Sequence, residues 1–226
     1  MQRKYRSKKE ELHSSDHFAH TVELLSGAEN MKRDFENLIK AEECGEVSFR
    51  LYQWKETTLS IGYSQEAISV SIPTVKRPTG GGALLHGEDL SFSFAGLRED
   101  WGKNSKNIYK NFMSLVLDVL KNLVPELDMS RYKGGYDDYF CYFYPTLGEI
   151  TFKGKKVIAC AMRVMKHSFL IHGSVFLSMN YQNFERLLGI SAERLKERII
   201  TFKELGVDAV ELKKSMMEME KRLTLR

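Results

Sequence analysis

The chain has 226 residues, of which 42% are apolar, so it is long and hydrophobic enough to bury the core of one large α/β domain. Its 34 lysines and arginines against 30 acidic residues give a formal charge of +4, a small basic excess that suits acidic partners and does not indicate nucleic-acid binding. The N-terminus is charged and the chain has no run of 18 uncharged apolar residues, so we predict that it has neither a signal peptide nor a membrane span. We therefore expect a cytoplasmic protein with no membrane partner.

The predicted elements begin after a charged tail, residues 1–15, and we expect a single domain with a helical C-terminal segment over residues 16–226. Gly45 stands where a left-handed C-cap would end a helix. Before it, apolar side chains recur at helical spacing: Ala28, Met31, Phe35, Leu38 and Ile39. The pattern predicts an amphipathic helix over residues 27–43.

Short β-branched or aromatic runs follow the helix, and we interpret them as strands of one sheet: 47–54, 58–64, 68–72 and 90–96. Between residues 106 and 123 the apolar side chains form one stripe. This stripe predicts a core-facing helix that lies across the sheet and is closed by Pro125.

The second half of the chain also mixes strands with helices. Residues 149–164 are typical of a hairpin that turns at Lys153–Gly154, and residues 169–177 are typical of a further strand. After Tyr181 the pattern is mostly helical. Because strands and helices do not alternate strictly, the order predicts an α/β (α+β) fold with a mixed sheet and flanking helices.

Three consecutive glycines, Gly80, Gly81 and Gly82, interrupt the strand-rich region. Glycine loses more backbone entropy on folding than any other residue, so a run of three is costly. The run is either a flexible turn or a loop whose bare N–H groups approach a ligand carbonyl or phosphate. It has neither the spacing of a dinucleotide site nor that of a P-loop. His86 and His172 lie in predicted strands, where each is either a structural histidine or a residue that orients a substrate.

Lys156 stands at the mouth of a strand that is otherwise apolar as far as Met162. Its ammonium either projects into a cleft, where it needs an anionic or polar partner, or extends to solvent at the strand end. Lys153 and Lys155 have the character of solvated turn residues.

The three cysteines, Cys44, Cys141 and Cys160, form no CxxC pair and no Cys/His cluster, so we predict neither a disulfide framework nor a metal site. Cys141 lies among aromatic residues, where a thiol is usually a buried apolar group unless a cation or base lies nearby. Cys160 follows Lys156 by four strand residues, about 13 Å, which is beyond hydrogen-bond reach. A Cys–Lys pair would therefore have to involve Cys141.

Four segments of the chain, in order, carry a family pattern. They are an opening helix, an aromatic strand, a glycine loop and a lysine strand with a following His-Gly pair: SGAENMKRDFENLI (26–39), LYQWKETTLSIGYSQ (51–65), RPTGGGALLH (77–86), and GKKVIACAMRV (154–164) with HGSVFL (172–177). Together they resemble the lipoate-protein ligases and octanoyltransferases, whose fold is shared with the catalytic domain of biotin ligase. The similarity spans roughly residues 16–206.

The resemblance implies that Lys156 contacts an acyl carbonyl. It also implies a set of substrate-binding residues along an acyl tunnel: Arg77, Gly80, Gly81, Gly82, His86, Ala159 and His172. The chain departs from the family pattern at Ile158-Ala159-Cys160, where Ser/Ala-Gly-Ser is usual, and at Lys76, where many members have a second arginine. Lysine keeps the charge at that position but loses the bidentate fork.

Cys141 separates the two activities of the family. In the Cys-dependent octanoyltransferases that this chain resembles, the nucleophile precedes the lysine by a fixed distance. Here Lys156 follows Cys141 by fifteen positions, and Pro145, Glu149 and Gly154 also match the pattern. The resemblance implies that Cys141 is the nucleophile, that Lys156 activates it as a base or as a cation, and that no metal or nucleotide cofactor is needed.

The expected function is that of an octanoyl-[acyl carrier protein]:protein N-octanoyltransferase of lipoate biosynthesis. It would take octanoyl from acyl carrier protein, hold it on Cys141, and pass it to a lysine of a lipoyl domain or of the glycine-cleavage H protein. Backbone N–H groups of the glycine loop would hold the oxyanion. The alternatives are an ATP-dependent lipoate-protein ligase, a lipoyl or octanoyl amidotransferase between carrier proteins, and a non-catalytic acyl- or protein-binding module. We expect a monomer.

Overall fold

The computed structural model describes residues 22–131, 138–143 and 146–224. The predicted charged tail and Pro145 lie outside these ranges. The helices are α1 (Gly27–Cys44), α2 (Arg98–Trp101), α3 (Ser105–Leu120), α4 (Tyr181–Leu188), α5 (Ala192–Arg198) and α6 (Ala209–Thr224). The strands are β1 (Glu23–Leu25), β2 (Ser48–Trp54), β3 (Thr58–Ile61), β4 (Thr74–Lys76), β5 (Leu84–His86), β6 (Leu90–Leu97), β7 (Leu127–Met129), β8 (Ile150–Phe152), β9 (Lys155–Lys156), β10 (Ile158–Val164) and β11 (Ser168–Val175).

The main sheet has five strands in the order β1-β2-β6-β11-β10. β1 pairs with β2 in parallel, and the other pairs are antiparallel. The predicted mixed sheet with flanking helices is therefore confirmed.

Helices cover both faces of the main sheet. On one face, Phe94 stacks on Phe112 of α3 with ring centroids 5.4 Å apart, and α6 joins the same apolar cluster. On the other face, the next residue, Ala95, packs with Leu38 of α1. Because neighbouring strand residues point to opposite faces, β6 builds both layers of the core. No helix within the described part of the chain is long and apolar enough to cross a membrane.

Two small three-stranded sheets lie beside the main one, in the orders β4-β3-β5 and β7-β8-β9. The prediction of one sheet is therefore wrong, because β3 belongs to a separate sheet. The predicted strand over residues 68–72 is also wrong. β3 already has β4 on one edge and β5 on the other, so no ladder position is free, and Val70 and Ile72 pack on the β3 cluster without pairing.

Helix α1 is confirmed at both ends. Ser26 and Glu29 form a capping box, and Gly45 takes the left-handed conformation with φ of 74°. The predicted apolar stripe is wrong at Ala28 and Phe35, which are exposed. The helix instead buries polar residues, Asn30 and Asp34, because arginine, tyrosine and histidine side chains of the sheet bond to them.

The predicted hairpin over residues 149–164 is only partly confirmed. The turn lies at Lys153 and Gly154, both with positive φ, as predicted. Only Lys155 and Lys156 pair with β8, however, and from Ile158 onward the chain joins the main sheet beside β11. Lys156 therefore stands where two sheets meet.

Candidate active site

Cys141 and Lys156 meet in the folded chain. Cys141 begins a 3-10 turn, Cys141–Phe143, and Lys156 ends β9. The Nζ atom of Lys156 lies 3.8 Å from Cys141 Sγ and donates a hydrogen bond of 2.6 Å to the Cys141 carbonyl oxygen. Lys156 is completely buried, so its ammonium turns inward to the cysteine and does not extend to solvent.

Glu149 explains why the lysine can be buried. Its carboxylate lies 2.9 Å from Lys156 Nζ and is itself only 2% exposed. It also accepts hydrogen bonds from the backbone N–H groups of Thr146 and Cys160. The same carboxylate therefore fixes the lysine, the segment after Cys141, and the start of β10. Lys155 instead lies at the surface and donates to a carbonyl of α5.

The thiol of Cys141 is influenced by burial and by three charged groups. Burial raises its pKa most strongly, Lys156 and Arg77 lower it, Glu149 raises it, and the net shift is upward. The resting thiol is therefore protonated at neutral pH. Attack on an acyl group requires that its proton leaves as the new bond forms.

The glycine loop is held against the cysteine turn. Cys141 N–H donates to the Ala83 carbonyl at 3.1 Å, and Ala83 N–H donates to the Tyr139 carbonyl at 2.8 Å. Gly81 has φ of 89°, which favours glycine. Gly62 lies so close that a β-carbon there would be 2.1 Å from the Gly81 oxygen. These contacts bring the loop and the cysteine into one site.

Cys141 lines a cavity together with Met31, Tyr52 and Trp54. Mostly apolar walls with a few polar groups suit an acyl chain whose carbonyl lies at the thiol.

The structure places most of the predicted substrate-binding residues on the wall of this cavity: Arg77, Gly81, Gly82, His86, Ala159 and His172. Gly80 is outside the wall and exposed. Cys160 also lines the cavity.

His86 is held between a serine and an aspartate. Its Nε2 lies 2.7 Å from Ser60 Oγ, and its Nδ1 lies 2.9 Å from Asp89 Oδ2. Its ring stacks on Trp54 with centroids 3.8 Å apart. Burial raises the pKa of Asp89, but His86 and three hydrogen bonds to the carboxylate outweigh burial and lower the pKa to about 2.

His172 has a second carboxylate partner. Its Nδ1 lies 3.0 Å from Asp34 Oδ2, and its Nε2 lies 2.6 Å from Thr79 Oγ1. Burial lowers the pKa of His172 more than Asp34 raises it, so the ring is neutral at neutral pH. Asp34 also binds Tyr52 and Arg50, which ties α1 to the cavity wall.

Sequence reasoning missed Asp34, Ser60 and Asp89. Ser60 and Asp34 carry no local signal, because each meets its partner only across the fold. Asp89 lies three residues after His86, and this spacing at a strand end was an available signal. Within the described ranges, no group of three or more His, Cys, Asp or Glu side chains is arranged to hold a metal ion.

Comparison with known proteins adds four likenesses to this geometry, two in sequence and two in structure. Residues 28–221 match the family model described as the lipoyl protein ligase A/B catalytic domain. Octanoyltransferase LipM of Carboxydothermus hydrogenoformans is 33% identical over 190 residues, covering 77% of this chain and 70% of the relative.

Two solved structures share the fold. Protein Ta0514 of Thermoplasma acidophilum, with bound lipoic acid, has a TM-score of 0.70 at 20% identity, covering 90% of this chain and 83% of that one. A bi-partite lipoate protein ligase of the same organism, analysed with its E2 lipoyl domain, has a TM-score of 0.63 at 18% identity, covering 90% and 82%.

Proposed function

The chain belongs to the lipoyl protein ligase A/B catalytic domain family, as its sequence motifs predict, and we propose that it transfers an octanoyl group through a thioester on Cys141. It is an acyltransferase, and the LipM relative supports octanoyl as the group transferred. The observation that carries the proposal is the 3.8 Å approach of Lys156 Nζ to Cys141 Sγ, a side chain that lines the mostly apolar cavity.

In the first step, Cys141 Sγ attacks the carbonyl carbon of an octanoyl thioester on acyl carrier protein. The bond between that carbon and the carrier's sulfur breaks, and the proton of the Cys141 thiol leaves with the carrier as its free thiol. Lys156 supports this step as a cation, since a lysine paired with Glu149 holds its proton. Of the two predicted roles of Lys156, the geometry favours the cation over the base.

In the second step, the neutral amine of an acceptor lysine attacks the octanoyl-Cys141 thioester. An amide bond forms, the carbon–sulfur bond to Cys141 breaks, and a proton of the amine returns to the thiolate. The acceptor is a lipoyl domain or the glycine-cleavage H protein. The likeness to a ligase analysed with a lipoyl domain supports the first of these.

Intact-protein mass spectrometry tests the proposal. Purified protein mixed with octanoyl carrier protein should gain one octanoyl group without ATP, and a lipoyl-domain acceptor should then remove it. Cys141→Ala should abolish the adduct, whereas Cys44→Ala, at an exposed cysteine, should leave it unchanged.

Two results would overturn the proposal. An adduct that persists in Cys141→Ala would exclude the thioester on this residue. Acceptor modified only from free octanoate with Mg-ATP would support the ATP-dependent ligase instead.

A further inference from the structure

Arg77 is a buried cation, 8% exposed, whose hydrogen-bond partners among the described residues are neutral. Its guanidinium donates to the Ser60 carbonyl and hydroxyl and to the carbonyls of Gly80 and Gly82. No carboxylate of the described residues forms an ion pair with it. Arg50, by contrast, binds two carboxylates. A buried charge without a counter-ion is costly, so a neighbouring group that becomes negative would be stabilised beside it.

Cys141 is that group. Arg77 Nη2 donates to the Gly82 carbonyl at 2.7 Å, and Cys141 N–H donates to the carbonyl of the next residue, Ala83, at 3.1 Å. Both side chains line the same cavity. The Arg77 guanidinium and the Cys141 backbone N–H therefore bind consecutive carbonyl groups of the glycine loop.

Arg77 is a second source of positive potential at Cys141, beside Lys156. The charged groups that act on the thiol are Lys156, Glu149 and Arg77. Lys156 lowers the pKa of the thiol more than Arg77 does, and Glu149, the ion-pair partner of Lys156, acts in the opposite direction. The guanidinium remains uncompensated.

We propose that Arg77 is the counter-cation for the negative charge that develops at Cys141 and its acyl adduct, and that Ser60, His86 and Asp89 are positioning residues that hold Arg77. This inference rests on the proposed function, because it takes Cys141 to be the nucleophile. It gives Arg77 a role in the chemistry in addition to forming part of the tunnel wall.

The positioning residues form one chain of hydrogen bonds from Asp89 to the guanidinium. Asp89 is ionised and lies 2.9 Å from His86 Nδ1, and the ring tautomer that donates Nδ1–H to it presents Nε2 as an acceptor. Nε2 accepts from the Ser60 hydroxyl at 2.7 Å, so the serine oxygen directs its lone pairs at Arg77 Nη1, 2.7 Å away. Within this chain His86 and Ser60 each donate one bond and accept one, and the Asp89 carboxylate fixes the direction.

The thiol pKa of Cys141 measures how strongly Arg77 stabilises the thiolate, and it does so without using transfer activity. It is obtained from the pH dependence of iodoacetamide alkylation, followed on the Cys141 peptide. Arg77→Gln removes the cation and should raise the thiol pKa by about one unit or more. Glu149→Gln removes the charge that opposes Lys156 and should lower it.

The positioning role has its own variants. Ser60→Ala should raise the thiol pKa by less than Arg77→Gln does. Ser48→Ala, which removes a strand hydroxyl without a partner among the described residues, should leave it unchanged. His86→Gln retains an acceptor for Ser60 and should preserve the wild-type value. His86→Phe retains the stack on Trp54 without an acceptor and should raise it.

A thiol pKa unchanged in folded Arg77→Gln, checked by thermal unfolding, would overturn the role of Arg77. If Arg77→Gln does not fold, the Ser60→Ala variant provides the test. A Cys141 thiol pKa in Ser60→Ala equal to that in Ser48→Ala would overturn the inference. These outcomes differ from failure of the proposed function, in which wild-type protein forms no octanoyl adduct on Cys141 whatever its thiol pKa.

Discussion

Lys156 holds a full charge in a completely buried position, and its stability there depends on Glu149. Removing one member of a buried ion pair leaves an uncompensated charge and costs roughly 3–5 kcal/mol of folding free energy. The sequence could predict that an inward lysine needs a partner. It could not identify Glu149, because the β8–β9 hairpin and the departure of β10 together bring the carboxylate to the ammonium.

Lys156→Met should lower kcat/KM of octanoyl transfer by at least about 100-fold, because methionine retains much of the stem but carries no charge. Lys155→Met is the matched control and should lower kcat/KM only slightly, because the Lys155 ammonium lies at the surface, where it donates to a backbone carbonyl. Steady-state transfer to a lipoyl-domain acceptor measures both.

Loss of folding would confuse this comparison, because Lys156→Met leaves Glu149 buried without its partner. The double variant Lys156→Met/Glu149→Gln removes both charges and should recover thermal stability without recovering activity. Equal activities of Lys155→Met and Lys156→Met would contradict the catalytic role of Lys156.

Helices and strands that are set by nearby residues could be predicted from the sequence. Elements that depend on pairing with distant strands could not. Helix α1 follows from Ser26 and Gly45, which cap it whatever lies around it. The exclusion of residues 68–72 from a sheet depends on which strands occupy the edges of β3, and no local pattern encodes that. The Cys141–Lys156 pair was predicted only because the spacing resembles a family pattern.

The turn after β3 braces the glycine loop, and Gly62→Ala should displace that loop. A β-carbon at Gly62 would lie 2.1 Å from the Gly81 oxygen, a distance that backbone atoms cannot accept, so the loop must shift. Octanoyl transfer should fall by about 100-fold, since small misplacements of catalytic groups cost that much.

Gly80→Ala is the matched control in the same loop. A β-carbon there meets nothing within 4 Å, and transfer should stay within about threefold of wild type. Similar losses in Gly62→Ala and Gly80→Ala would contradict a steric cause and indicate general sensitivity of the loop.

The site is assembled by all three sheets of the molecule. Lys156 comes from the β7-β8-β9 sheet, His86 from the β4-β3-β5 sheet, and His172 from the main sheet. Asp89 joins two of them, because its carboxylate binds His86 of β5, Ser91 of β6 and Ser174 of β11. Such convergence across distant segments is why composition and periodicity predicted the sheet but not these contacts.

Asp89 should therefore make the whole fold sensitive to acid. Its pKa is about 2 in the folded protein against 3.8 as the ordinary value, so its ionised form contributes stability above pH 4. That contribution, about 2 kcal/mol in total, is lost as pH falls from about 4 to about 2, and about half is lost by pH 3.

Urea unfolding of wild type and Asp89→Asn at pH 6 and pH 3 measures this contribution to the free energy of unfolding. The wild-type advantage should shrink by about 1 kcal/mol at the lower pH. An advantage equal at both pH values would mean that the carboxylate does not link folding to protonation.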